Sequence, residues 1–278
     1  MINEEVKSMM TTRTAPHKDE SLRLLCLGSS DAFNSVGRGH SSFWVDDADG
    51  AYLLDCGPST PSSLQREIGL GRIDLADLDV IYITHLHGDH IGGLPVLLLI
   101  LCFQYQRQRP LVIAGPKTTR ERVDLLCEVS YPELHRLLSY ELVFEERELN
   151  SEGAVGGRQL RSIEARHDPN AHPTSIRITD SQGESVAFSG DTGWSESLCE
   201  LSAGASFFVL ECSYADAVFS GHISLAEIEE VRERLTPTRL ILTHFGEESR
   251  ASASASQERL NLIVAEDGTE WFAEKSSP

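Results

Sequence analysis

The stretch Thr84-His85-Leu86-His87-Gly88-Asp89-His90 places three imidazoles and a carboxylate within six positions of a chain that has ten histidines in all. Random placement would give such a cluster in roughly one comparable sequence per thousand. Neutral imidazole is a preferred ligand for zinc and other borderline metals, and a carboxylate adds charge to the same site. The segment follows an apolar strand-like run, Asp79 to Thr84, and precedes a second apolar run, Ile91 to Phe103. A tight turn between them, eased by Gly88, lets alternate side chains splay. His85 and His87 then face one ion, and Asp89 and His90 a second. The plainer alternative is a His-rich surface tract binding metal adventitiously. The flanking apolar runs argue against it, because they set the segment at a strand end facing a cleft.

Such a site needs a fold large enough to bring distant ligands to it. The 278 residues suit one large α/β or sandwich domain, expected over residues 21–274. Residues 1–20 carry Glu4, Glu5, Asp19 and Glu20 with no apolar core, and read as a disordered tail without a signal peptide. Apolar residues make up 40% of the chain, enough for a sizeable core. The formal charge is −19, so two divalent cations would still leave the chain acidic. That field repels polyanions, and no basic stripe offsets it. Short basic clusters (Arg107 and Arg109; Arg120 and Arg122; Arg158, Arg161 and Arg166) read as solvated surface charge. The six cysteines form no Cys-x-x-Cys pair and read as reduced, buried thiols of a cytoplasmic protein. The run Ile91–Phe103 holds Gly92, Gly93 and Pro95 and is too short to span a bilayer.

Strands are expected at 22–27, 42–45, 51–54, 79–84 and 111–114, and again at 142–144, 159–165, 175–179, 185–189, 206–210, 239–243 and 269–273. The Asp-rich turn Asp46–Gly50 makes a hairpin of the second and third. Helices are expected at 61–68, 94–106, 117–139 with a break near Pro132, 224–235 and 256–265. Ser59 or Thr60 is the expected cap of the first, and Ser224 of the fourth. Tyr82-Ile83-Thr84-His85 and Ile241-Leu242-Thr243-His244 are similar strand endings, one in each half. Hairpins interleaved with helices fit two packed sheets with helices outside better than one parallel sheet.

A closed centre needs further ligands downstream. His167, His172, Asp191, His222 and His244 are the candidates. Asp191 follows a strand in Ser189-Gly190-Asp191-Thr192-Gly193, where a carboxylate could bridge two ions. His244 ends a strand as His85 does. A lone strand-end histidine is structural about as often as functional.

Taken together, Leu27–Phe33, Leu53–Gly57, Thr84–His90, Ser189–Thr192, Gly221–Ser224 and Leu242–Phe245 resemble the metallo-β-lactamase superfamily, and within it the ribonuclease Z-like branch. The resemblance implies a four-layer αββα sandwich with two metals at one edge. It implies His85, His87 and His167 on one ion, Asp89, His90 and His244 on the other, and Asp191 between them. His167 is preferred to His172 because the family's third histidine precedes a strand ending in Arg-Ile, here Arg177-Ile178. His172 is left to line the pocket or to sit exposed, with exposure favoured. Asp55 matches a buried carboxylate that supports the histidine turn. His222 matches a histidine beside the metals that assists phosphodiester cleavage, and Glu211 an acidic position that orients it. The alternative for His222 is a residue that only shapes a helix start. Asp89, His222 and Glu211 are thus the expected catalytic residues, and Cys212 is read as structural. The resemblance also implies that a homodimer is possible.

The ligand set suits two Zn²⁺ ions, with Mn²⁺ or Fe also fitting. Transfer-RNA-processing relatives carry a long arm between the strand after the third histidine and the bridging aspartate. Here only Thr179–Phe188 separates Ile178 from Ser189, which leaves room for a hairpin turn. A metal-dependent phosphodiesterase is therefore expected, with a small ester or phosphodiester as substrate, nucleic acid disfavoured but left open as a partner, and no membrane. The alternatives are an acyl hydrolase of lactones, thioesters or β-lactams, a ribonuclease Z-type endoribonuclease, and a non-catalytic metal-binding protein.

Overall fold

The computed structural model describes residues 22–274, so the tail expected at 1–20 lies outside the described residues. Two seven-stranded sheets form the body. The first contains β1 (Arg23–Gly28), β2 (Ser42–Asp47), β3 (Gly50–Leu54), β4 (Leu78–Tyr82), β5 (Leu111–Pro116), β6 (Leu142–Arg147) and β14 (Glu270–Phe272), in the order β14-β1-β2-β3-β4-β5-β6. The second contains β7 (Ser151–Val155), β8 (Arg158–Glu164), β9 (Thr174–Thr179), β10 (Ser185–Phe188), β11 (Phe207–Glu211), β12 (Arg239–Thr243) and β13 (Ile263–Val264), in the order β13-β12-β11-β10-β9-β8-β7.

Each sheet is antiparallel on one side and parallel on the other. In the first, β1, β2 and β3 pair antiparallel, and β3, β4, β5 and β6 pair parallel. In the second, β7 to β10 pair antiparallel, and β10 to β13 pair parallel. Parallel strands need covered crossovers, which the helices provide.

Alternation along the strands sets the layers. Leu24, Cys26, Phe43, Val45, Tyr52, Val80 and Tyr82 face inward onto Ile176, Ile178, Val186, Phe188, Phe207, Val209 and Ile241 of the other sheet. Their neighbours Leu25, Leu27, Trp44, Leu53 and Ile81 face outward, under α1 (Thr60–Gly69), α2 (Gly88–Ile91), α3 (Leu94–Leu99), α4 (Thr119–Ser130) and α5 (Leu134–Leu137). Phe208, Leu210, Leu240 and Leu242 pack outward under α6 (Ser197–Ser202), α7 (Leu225–Val231) and α8 (Glu247–Leu260). These strands are buried on both faces, which is why they read as continuous apolar runs. The αββα sandwich expected from the sequence is the observed architecture.

Several local expectations are corrected. The run 94–106 is not one helix: α3 gives way to a π-helical turn at Ile100–Gln104. The last helix is Glu247–Leu260 rather than 256–265, its Ser- and Ala-rich sequence carrying almost no apolar periodicity. Strands β7 and β13 and helix α6 were not expected. Ser59 precedes α1, but its hydroxyl accepts from the His40 amide instead of capping the helix. Ser224 does cap α7, in a reciprocal capping box with Glu227.

The basic clusters are not all solvated. Arg158 is fully buried and forks onto Asp47, with Nε and Nη2 each 2.7 Å from a carboxylate oxygen. The pair joins β8 to β2 and so ties the two sheets together. Arg107 is buried as well, donating to the carbonyls of Arg109 and Pro110. All six cysteines are free thiols, and all but Cys199 are buried. Burial pushes the Cys212 thiol up, out of reach of ionisation near neutrality, in keeping with a structural role. Among the described residues no helix is long and apolar enough to cross a membrane. The β9–β10 link is a short hairpin closed around Asp180, with Ser185 paired to Thr179, so no arm occupies that position.

Candidate metal centre

The C-terminal ends of β3, β4, β8, β10, β11 and β12 meet at one edge of the sandwich. Asp55 follows β3, His85 follows β4, His167 follows β8, Asp191 follows β10, Glu211 closes β11 and His244 follows β12. Asp55 and His244 take left-handed backbone, with φ of 55° and 59°. Non-glycine residues there are uncommon and cluster at functional sites. Two contacts stitch the sheets at this edge. Thr174 donates its amide and hydroxyl to the Thr84 carbonyl, and Leu86 N–H donates to the Ala171 carbonyl.

The structure brings His85, His87 and His167 together in one group, and Asp89, His90, Asp191 and His244 in another. Asp191 faces both. Its Oδ1 lies 3.3 Å from Nε2 of His90 and 3.3 Å from Nε2 of His244. Its Oδ2 lies 3.7 Å from Nε2 of His85 and 3.9 Å from Nε2 of His167. Asp89 Oδ2 sits 3.1 Å from His90 Nε2 and 3.5 Å from His244 Nε2.

Each of the five converging imidazoles has its far nitrogen held by a neighbour, and the neighbour's chemistry fixes the tautomer. The Gly221 carbonyl can only accept, so the proton of His167 is on Nδ1, 2.9 Å away. Thr84 Oγ1 donates to Asp55 and therefore accepts from Nδ1 of His85. Asp55 Oδ2 accepts from Nδ1 of His90 at 2.7 Å. Ser213 Oγ donates to Glu211 and accepts from Nδ1 of His244 at 2.9 Å. Asp168 Oδ2 faces Nε2 of His87 at 3.3 Å. In the neutral imidazoles the remaining nitrogens present lone pairs to a common centre.

Those inward atoms are left unpaired. Nε2 of His85, His90 and His244 and Oδ1 of Asp191 are buried with no hydrogen-bond partner among the described residues. His87 Nδ1 and His167 Nε2 stand 3.0 Å apart, two acceptors that repel unless a cation lies beside them. Unsatisfied buried groups are rare because each costs its desolvation energy, ~1–3 kcal/mol or more. A convergent set of nitrogen and carboxylate donors in this state fits metal ions.

The electrostatics agree. Burial disfavours charge on His90, but Asp191, Asp89 and Asp55 overcome it and push its pKa well up. Burial likewise opposes His244, yet Asp191 and Asp89 push it up to about 9. Asp89 and Asp191 stay ionised: burial raises both, and the surrounding imidazoles hold both below the usual carboxylate range. His85 and His167 are lowered, first by burial. The edge is thus built to hold positive charge.

His222 lies beside both groups, its ring 4.7 Å from that of His167 and 5.5 Å from that of His244. Its Nδ1 is 2.8 Å from Oε1 of Glu211. Burial lowers its pKa, but the Glu211 contact outweighs burial and leaves it raised. Glu211 is itself buried and also accepts from the Thr192 amide and the Ser213 hydroxyl. His172 is half-buried rather than exposed, and it is not among the residues that line the cleft.

The sequence reading missed Ser213, Asp168 and the Gly221 carbonyl. Ser213 and Asp168 carry no motif, although Asp168 is adjacent to His167, and Gly221 stands out in the sequence only as part of the motif around His222. Gly88 does not ease the turn, since its backbone is ordinary and a side chain there would meet open space. The tight approach is at Gly57, where a Cβ would stand 2.0 Å from the Asp89 carbonyl oxygen. The cleft over the centre encloses about 610 Å³. Asp31, Phe33, Tyr214, Asp216, Phe219 and Glu247 contribute to its walls, and among the described residues no Lys or Arg does.

Ribonuclease Z of Methanothermobacter thermautotrophicus is 29% identical over 265 residues, covering 79% of this chain and 85% of that protein. The metallo-β-lactamase fold protein YhfI from Bacillus subtilis superposes with a TM-score of 0.73 at 20% identity, covering 91% of this chain and 99% of that one. The short form of human tRNase Z superposes with a TM-score of 0.72 at 22% identity, again covering 91% and 99%. These likenesses place the chain in the metallo-β-lactamase fold, on its ribonuclease Z-like branch, and with the donor cluster they support a metal-dependent hydrolase. A family model described as Anti-Pycsar protein Apyc1 matches residues 22–267, nearly all of the described chain, and the protein belongs to that family.

Proposed function

We propose that this protein is a binuclear metal-dependent phosphodiesterase acting on a small phosphodiester. His85, His87 and His167 would hold one ion, Asp89, His90 and His244 the other, with one Asp191 oxygen turned to each. Five imidazoles and two carboxylates suit Zn²⁺, and Mn²⁺ or Fe fits the same donors. Bound there, two divalent ions supply Lewis-acid stabilisation of negative charge and lower the pKa of a neighbouring water.

The observation that carries the phosphodiester reading is the His222–Glu211 pair. Glu211 holds the Nδ1 side of His222 and raises its pKa above the ordinary imidazole value, on the wall of the same cleft. His222 is thereby placed to donate a proton to the leaving oxygen of a diester. Glu211 and Ser213 hold its Nδ1 side, which leaves Nε2 for substrate. A cleft with no Lys or Arg among its described wall residues, on a chain of charge −19, favours a small substrate over RNA.

The test is turnover by metal-loaded protein of bis-aryl phosphodiesters against a panel of lactones and thioesters. His222→Ala should lower diester turnover by about 10²–10⁴-fold and leave metal content unchanged. Turnover confined to the acyl panel would sink the phosphodiesterase reading. Loss of metal in His222→Ala would reassign that residue to the support of the metal centre.

A further inference from the structure

His85, His90 and His167 are anchored through Thr84, Asp55 and the Gly221 carbonyl, all buried. His87 is different. Its side chain is 36% exposed, and its anchor is Asp168, 42% exposed, on a loop. We infer that Asp168 is a positioning residue that fixes the tautomer and orientation of His87 and so sets the metal affinity of the three-histidine pocket.

The carboxylate is divided between two tasks. Oδ1 accepts from the backbone and side-chain amides of Asn170, at 3.0 and 2.9 Å, and so caps the turn Pro169–Ala171. Oδ2 is left facing Nε2 of His87. The same turn receives the Leu86 amide on the Ala171 carbonyl. The loop is therefore fastened to the histidine segment twice, once at the Leu86 backbone and once at the His87 ring. Asp168 is also the chain neighbour of His167. One side chain thus relates a ligand following β4 of the first sheet to a ligand following β8 of the second.

The tautomer argument is direct. A carboxylate only accepts, so the proton of His87 goes to Nε2 and Nδ1 carries the lone pair beside Nε2 of His167. Outer partners of this kind orient ligating imidazoles and raise their basicity. A proton on Nδ1 would remove that nitrogen from the pocket.

Asp168→Asn tests this at constant shape. The amide has one accepting oxygen. If that oxygen keeps the turn, the NH₂ group faces Nε2 and favours the wrong tautomer. If the amide flips, the turn loses its cap. The inference rests on the binuclear reading, so wild type and variant are both titrated with Zn²⁺ against a chromophoric chelator, and the metal-free chains are melted. The expected result is one ion weakened by about 10–100-fold, the other unchanged, and the metal-free melting temperature retained. His87→Ala should lose the same ion outright. Two ions bound by Asp168→Asn as tightly as by wild type would overturn the inference. So would equal weakening of both ions with a lowered metal-free melting temperature. A wild type that binds a single ion would sink the binuclear reading alone. Asp168 would then stand or fall on whether Asp168→Asn weakens that ion.

Discussion

Oδ2 of Asp55 lies 2.7 Å from Nδ1 of His90, with both side chains buried. The other oxygen of Asp55 accepts the Thr84 amide, and Oδ2 also accepts the Thr84 hydroxyl. Three donors thus converge on one carboxylate. Asp55→Asn offers one acceptor oxygen and adds a donor, so at least one buried donor loses its partner. The expected cost is ~1–3 kcal/mol of stability, with a roughly 10–100-fold weaker ion at His90. Urea unfolding and chelator competition measure the two effects separately. Wild-type metal affinity in a folded variant would remove Asp55 from the support of the centre.

Glu211 raises the pKa of His222, so the proton is held below that raised value and lost as pH climbs through it. Activity that depends on His222 as an acid must fall on the alkaline side. Glu211→Gln removes the charge that opposes burial and should move this descending limb to lower pH. The kcat–pH profile of the loaded enzyme reads the shift. An unmoved limb would mean another group donates the proton.

His90 and His244 must each release a proton before Nε2 can bind metal. Apparent metal affinity should therefore rise with pH, by up to about tenfold per unit for each proton displaced. In the metal-free chain the sign is reversed. His244 has a folded value of about 9, against roughly 6.5 when unfolded. Its contribution to stability is complete below the unfolded value and is lost as pH rises through the folded one. Metal-free protein should be less stable at alkaline than at neutral pH, and metal should abolish the difference. Unfolding midpoints with and without chelator provide the comparison.

Gly57 leaves no room for a side chain: a Cβ there would stand 2.0 Å from the Asp89 carbonyl oxygen and 2.7 Å from Cβ of His40. Gly57→Ala must push the Asp89 backbone outward. A loss of ~1–3 kcal/mol is expected, together with weaker metal binding. Gly88→Ala, where nothing lies within 4 Å, is the matched control and should bind metal normally. Equal behaviour of the two variants would show that the turn does not depend on this contact.

Read along the chain, the residues point to a metal-binding segment and to most of the layers. The density of His85, His87, Asp89 and His90 marks a metal segment without any fold, because imidazole and carboxylate have few other reasons to cluster at a strand end. Apolar runs such as Phe207–Leu210 announce strands covered on both faces, because alternate residues must enter two different cores. Helix α8 stayed hidden for the opposite reason. Its surface is polar and small, and its place is set by contacts rather than periodicity. Arg158 reads as a surface charge in sequence, and only the opposing sheet supplies the Asp47 that makes its burial tolerable. The same holds at the centre. Residue types and resemblance name candidate ligands, which the structure brings into two groups. Which nitrogen of each imidazole faces inward depends on Thr84, Asp55, Asp168, Ser213 and the Gly221 carbonyl, which different segments of the chain bring to one edge. Tautomer selection is a matter of hydrogen bonds across space, and it is set by the folding of these segments onto one another.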